Sequence, residues 1–139
     1  IGVLVGADVA PAGLVPVVEL PRLSYAVPDA LSAADVIASN VSAYRFVVGT
    51  PAPFDADVRE VRVSLEHDGA VANAAQASDA MGDPLASYRW MVERIRGAGY
   101  RLEPGMVLLT GALGRVVDAS PGRWVARYDG LGEVAFTIR

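Results

Sequence analysis

The 139-residue chain has no cysteine, no lysine and a single histidine, His67. Without cysteine there is no disulfide, no thiolate nucleophile and no zinc–thiolate site. Without lysine there is no Schiff-base chemistry and no lysine-dependent phosphate loop. One histidine excludes a His-rich metal centre. A metal would have to be held by carboxylates and by backbone or water oxygens, the ligands of hard ions such as Mg²⁺, Mn²⁺ or Ca²⁺. Charge is also scarce: charged residues make up 20%, the net charge is −4 and the pI about 4.9. That argues against a basic groove for nucleic acid. No run approaches the ~18 uncharged apolar residues of a membrane span. The nearest, Ile1 to Val18, contains Asp8, two prolines and three glycines, and it lacks the basic start of a signal peptide. The expectation is a cytoplasmic protein with neither nucleic-acid nor membrane partners.

What is present is apolar. Hydrophobic residues make up 53%, with a mean hydropathy of +0.34. Such a chain folds, as one domain, and is long enough to bury roughly two-thirds of its unfolded surface. The apolar excess over one core predicts a homo-oligomer.

Ile1–Gly6 reads as a strand and Pro11–Gly13 as a turn. Val15–Leu20 reads as a second strand, ended by Pro21. Pro28–Ser32 is a loop that delivers a helix, with Ser32 as N-cap and Asp35 reaching back, running to about Ala43. Arg45–Gly49 is a strand, and Thr50–Phe54, with two prolines, a loop. Val58–Glu66 alternates as a half-buried strand with Val61, Val63 and Leu65 inward. Asp68-Gly69 is the strongest hairpin signal in the chain, with a return strand from Ala70. Asn73–Ala80 is small and polar. Asp83-Pro84 opens a helix with Leu85, Tyr88, Met91, Val92 and Ile95 at helical spacing, ended by Gly97 and Gly99. Leu85, Met91, Val92 and Ile95 are expected to be largely buried, with this helix outside the sheet. Met106–Thr110, Val116-Val117, Trp124–Tyr128 and Glu133–Ile138 are strands. The fold class is α+β and β-rich, with about eight strands and two helices.

Few residues offer chemistry. Glu19 is a carboxylate in an otherwise apolar strand. It is costly to bury unless paired or metal-bound, and an edge position facing water or a pair with Arg22 would also account for it. Asn40 follows the first helix and would serve as a cap or touch a ligand. The Thr110-Gly111-Ala112 turn follows an apolar strand. Its backbone N–H groups can approach an anion, and a tight turn chosen for space is the plainer alternative. His67, at a hairpin end, is expected to be solvated.

The order of segments resembles the 2-keto-4-pentenoate hydratase and 4-oxalocrotonate decarboxylase branch of the fumarylacetoacetate hydrolase superfamily. Val15-Pro-Val-Val-Glu-Leu20 resembles the family strand that carries a metal-binding Glu. Ser32–Gly49 is similar to the family helix, Asn-containing turn and Arg-Phe-Val-Leu-Gly-like strand. Asp68-Gly69, Gly82-Asp-Pro84, Leu102-Glu-Pro-Gly105 through Thr110-Gly111, and Gly130-Leu-Gly132 follow in family order. Together they cover nearly all of residues 1–139, as one catalytic domain expected to lack its N-terminal part. Several features depart from the family, among them a stretch between Leu14 and Val15 about a dozen residues shorter than the family's. Ala112 stands where it has serine, and the run after Glu19 is Leu20-Pro-Arg-Leu-Ser24 where members have an Asp-Ser-Arg-like run. The family's Glu-x-Glu pair falls just before Ile1.

The resemblance implies a mixed β-roll with two peripheral helices. It also implies a lyase that uses Mg²⁺ or Mn²⁺ on small 2-oxo or 2-hydroxy dienoic acids, hydrating 2-hydroxypenta-2,4-dienoate or carrying out the related decarboxylation. Glu19 would be the third carboxylate ligand, Asn40 a catalytic residue beside the substrate, and Thr110, Gly111 and Ala112 would bind the substrate's carboxylate. Two rivals are an acylpyruvate-type C–C hydrolase, which would need a His–Glu pair, and a degenerate relative that only binds or oligomerises.

Overall fold

The computed structural model describes residues 1–22, 25, 30–53 and 57–139. The Pro28-Asp29 part of the expected loop, Leu23-Ser24 and Phe54 lie outside the described residues. The described chain is strand-rich α+β, with nine strands and two α-helices. Every strand pair among the described residues is antiparallel, in three separate sheets, where a mixed sheet was expected. No helix there is long and apolar enough to cross a membrane.

The first sheet has the order β2-β1-β7, from β1 (Gly2–Val5), β2 (Pro11–Val15) and β7 (Val107–Leu109). Val3, Val5, Leu14 and Val15 are at most 1% exposed and form the deepest part of the core. The turn expected at Pro11–Gly13 lies earlier. Gly6 donates to the Ala10 carbonyl at 2.8 Å around a short 3₁₀ turn, Ala7–Val9. Pro11 instead opens β2, a position where a strand tolerates the missing N–H.

The strand expected over Val15–Leu20 is two strands. Pro16 has no N–H to continue a ladder. β2 therefore ends at Val15, and β3 (Val17–Leu20) pairs with β4 (Arg45–Val48) in a separate two-stranded ribbon. The Pro16 carbonyl accepts from Gly49 N at 2.8 Å, which seats the corner.

The largest sheet has the order β6-β5-β8-β9, from β5 (Arg62–His67), β6 (Ala70–Gln76), β8 (Gly122–Tyr128) and β9 (Gly132–Ile138). Asp68 (φ 48°) and Gly69 (φ 86°) both take left-handed conformations, the requirement of the tight hairpin turn expected there. Val61 is buried and Val63 and Leu65 pack against the core, as the alternation predicts. Val58–Glu60 is not strand but a 3₁₀ turn, because Asp57 accepts from Arg59 N and caps it. Val116-Val117 forms no strand either. It lies in an irregular run with Val116 78% exposed, and two valines without alternation give a sheet no face to bury.

Helix α1 (Ala33–Ala38) has the expected capping box: Asp35 N donates to Ser32 Oγ, and Ser32 N to Asp35 Oδ2 at 2.9 Å. It stops five residues early. Ser39 Oγ turns back onto the Val36 carbonyl, and Asn40 takes a left-handed φ of 54°. Helix α2 (Pro84–Gly97) has the expected Asp83 cap, which accepts from Leu85 N at 2.8 Å. It lies outside the sheets. Leu85, Met91, Val92 and Ile95 are half-buried rather than largely buried, because Pro84, Ser87 and Tyr88 make the deepest contact. The Tyr88 hydroxyl donates to the Val9 carbonyl at 3.0 Å.

Candidate functional site

The antiparallel pairing of β1 with both neighbours gathers three distant segments at one end of the first sheet. Gly2 faces Val15 on one side and Leu109 on the other. The start of β1, the exit of β2 toward Glu19, and the exit of β7 into Thr110-Gly111-Ala112 therefore share that end.

Thr110 is 2% exposed. Its N–H and its Oγ1 both donate to the Ile1 carbonyl, at 3.0 and 2.9 Å. The hydroxyl is thus engaged within the protein, and a ligand would meet the backbone of the turn. Gly111 has φ +127°, and a Cβ there would come within 3.2 Å of Ala80 Cβ. Gly111 and Ala112 are exposed.

Glu19 is exposed on β3, directly opposite Phe46 of β4 on the same face of the ribbon. That face is apolar: Phe46 is 64% and Val48 42% exposed. The strand is fixed from behind by the Tyr128 hydroxyl, which donates to the Val17 carbonyl at 2.6 Å. Burial pushes the Tyr128 phenol above its ordinary value. Arg22 places its guanidinium 5.5 Å from the Tyr44 ring, and no ion pair between it and Glu19 occurs among the described residues. Asn40 is exposed at the turn after α1.

No group of three His, Asp or Glu side chains able to hold a metal occurs among the described residues. Two surface hollows, of about 560 and 360 Å³, lie on the largest sheet and beside the β5–β6 hairpin, and neither is lined by Glu19, Asn40 or the turn.

His67 is not the solvated residue expected of a hairpin end. Its ring stacks on Trp124 with centroids 4.3 Å apart, and Nε2 lies 3.0 Å from the Pro121 carbonyl. The β5–β8 pairing sets His67 beside Trp124, and the aromatic face covers it.

Sequence reasoning missed Asn73. On β6, its Nδ2 donates to the Leu113 carbonyl at 3.0 Å and its Oδ1 accepts from Arg115 N at 3.3 Å. The contact spans 40 residues of sequence. The segment around Asn73 is small, polar and without period, so no local signal marks it.

No protein-family model matches the chain. A 2-keto-4-pentenoate hydratase of Burkholderia vietnamiensis is 35% identical over 107 residues, 75% of this chain and 41% of that protein. A 4-oxalocrotonate decarboxylase of Pseudomonas putida is 29% identical over 103 residues, 72% of this chain and 39% of that protein. A solved structure, 4-oxalocrotonate decarboxylase from Pseudomonas putida G7 complexed with magnesium and adipate, superposes with a TM-score of 0.85 at 26% identity. It covers 96% of this chain and 56% of that one. The chain thus spans about 40% of the length of these curated relatives.

Proposed function

We propose, from a chain related in sequence and fold to 2-keto-4-pentenoate hydratases and 4-oxalocrotonate decarboxylases, that it is the catalytic domain, in part, of a lyase for small 2-oxo or 2-hydroxy dienoic acids. The reaction is hydration of 2-hydroxypenta-2,4-dienoate or the related decarboxylation. The observation that carries this reading is the meeting of the β1 start, the β2 exit toward Glu19 and the Thr110–Ala112 turn at one sheet end, within a fold that superposes on a decarboxylase. The fold reads as fumarylacetoacetate-hydrolase-like, with residues 1–139 forming one domain that corresponds to part of the length of its relatives.

In this reading the backbone N–H groups of Gly111 and Ala112 receive the substrate's C1 carboxylate. The Asn40 amide serves the reacting end, and Glu19 is a ligand of a divalent ion, Mg²⁺ or Mn²⁺. Such an ion, when bound, supplies Lewis acidity to a chelated 2-oxo acid. The described residues do not by themselves fit it, since Glu19 is not joined by two further carboxylates among them. The site needs more carboxylates than these residues bring together. With alanine at 112, the turn offers backbone donors in place of a hydroxyl.

The exposed Phe46 and Val48 face, with Ile37 and Trp90 also exposed, supports a homo-oligomer, and the setting is taken as cytoplasmic. Nothing supports the acylpyruvate hydrolase reading, since His67 is stacked on Trp124 and hydrogen-bonded to Pro121. The degenerate reading is the second to test, because Glu19 lacks companions among the described residues.

The deciding assay offers 2-hydroxypenta-2,4-dienoate and 4-oxalocrotonate in parallel, with Mg²⁺ and with chelator. A 4-hydroxy-2-oxo acid product identifies a hydratase and CO₂ release a decarboxylase, each lost on chelation. No turnover of either acid with Mg²⁺ present favours the degenerate reading.

A further inference from the structure

We infer that Asn73 is a positioning residue for the Thr110–Ala112 turn. It acts by fixing the Leu113–Arg115 segment into which the turn leads. The inference rests on the reading of that turn as the substrate's carboxylate site. Asn73 is half-buried on β6, and one side-chain amide satisfies two backbone groups two residues apart: the Leu113 carbonyl at 3.0 Å and Arg115 N–H at 3.3 Å. Arg115 ties back to the same strand, with Nη2 donating to the Ala72 carbonyl at 3.0 Å. Between the two bonded residues stands Gly114, with φ +68°, where a Cβ would lie 2.5 Å from Asn73 Oδ1. The Asn73 amide occupies the space that any other residue at 114 would need.

The near end of the turn is fixed separately. Thr110 is bonded twice to Ile1, and Gly111 backs onto Ala80. Gly111 and Ala112 therefore bridge two anchored points, the sheet at Thr110 and Asn73 at Leu113. Neither side chain at 111 or 112 carries a hydrogen-bond donor. Binding of a carboxylate there depends on where the backbone N–H groups point, and Asn73 holds the far end that sets their direction. Loss of its amide would leave that end to water and let the turn sample other conformations.

The test is Asn73→Ala in the full chain, read by amide hydrogen exchange and by kinetics on 2-hydroxypenta-2,4-dienoate. Exchange at Arg115, the amide of this segment that donates a hydrogen bond, is expected to quicken about tenfold or more while the β8 and β9 amides keep their rates. KM is expected to rise about tenfold with kcat within about twofold, the effect of one lost hydrogen bond on binding alone. Gly114→Ala, which drives a Cβ into the Asn73 amide, should reproduce both changes. If Asn73→Ala does not fold, Asn73→Asp keeps the acceptor for Arg115, loses the donor to Leu113 and gives the KM readout. Unchanged exchange at Arg115 in Asn73→Ala would overturn the inference. So would faster exchange with an unchanged KM, which marks a merely structural contact. A native chain that turns over no substrate counts against the proposed function instead, and the exchange rates still decide whether Asn73 holds the turn.

Discussion

The two larger sheets achieve order by different balances of ladder and burial. The β6-β5-β8-β9 sheet has long strands in two tight hairpins, β5–β6 and β8–β9, joined by a long-range β5–β8 pairing; β8 buries Val125, Ala126 and Tyr128, while Val63 and Leu65 of β5 are only half-buried. The β2-β1-β7 sheet has strands of three to five residues, and β7 arrives from more than a hundred residues away, yet Val3, Val5, Leu14 and Val15 are sealed from water. The long sheet adds its ladder and its hairpin turns to the burial of β8. The short sheet relies on burial, since its few backbone bonds close a very long loop. The candidate site sits at the end of the short, deeply buried sheet, where rigidity is supplied by the core rather than by local sequence.

That contrast predicts a ranking of substitutions. Leu14→Ala, in the sealed sheet, should cost about 2–5 kcal/mol in denaturant unfolding, through lost burial and a cavity. Tyr128→Phe should cost about 1–3 kcal/mol by leaving the Val17 carbonyl without its donor. It also has a pH signature. Burial raises the Tyr128 pKa in the folded protein, so its neutral form stabilises the fold fully below the ordinary tyrosine value. That contribution is lost as pH rises above about 10. Unfolding midpoints should therefore fall more steeply above that pH in the native protein than in the Phe variant. Gly69→Ala has open space around its Cβ but keeps φ 86°, so it should cost only about 1 kcal/mol. Arg127→Ala removes exposed pairs with Glu66 and Glu133 and should shift stability by less than about 1 kcal/mol. A loss for Arg127→Ala as large as that for Leu14→Ala would break the contrast.

The same division explains what was legible in sequence. Asp68-Gly69, the Ser32–Asp35 capping box and the Asp83-Pro84 opening were readable because each is settled within a few residues by backbone chemistry. The break at Pro16 was missed because an apolar run on both sides of a proline looks continuous until the two halves find different partners. The early end of α1 was missed because Ser39 and Asn40 compete with the helix through their own side chains, a choice that tertiary contacts decide. His67 stands at the hairpin end as expected, but its partial cover was not legible because Trp124 lies on a strand 57 positions later, reached only through the β5–β8 register. The kinship was legible in the order of weak motifs, and the sequence relatives and the decarboxylase superposition agree with it. Asn73 was not legible, since its partners Leu113 and Arg115 are 40 or more residues away and carry no motif.

The central claim is that the end of the short sheet is the reacting site and that Glu19 takes part in it. Glu19→Gln keeps the shape of an exposed side chain and removes its charge, so the fold should be unaffected. Without added Mg²⁺, the variant should keep its melting temperature within about 1 °C of the native chain, as expected of a surface change, and any rise that Mg²⁺ gives the native chain should be lost in the variant. It should lose turnover of 2-hydroxypenta-2,4-dienoate by about a hundredfold or more, the scale of a lost metal ligand or its support. Equal turnover in the two proteins would contradict the claim and leave Glu19 as a solvated residue on an exposed ribbon.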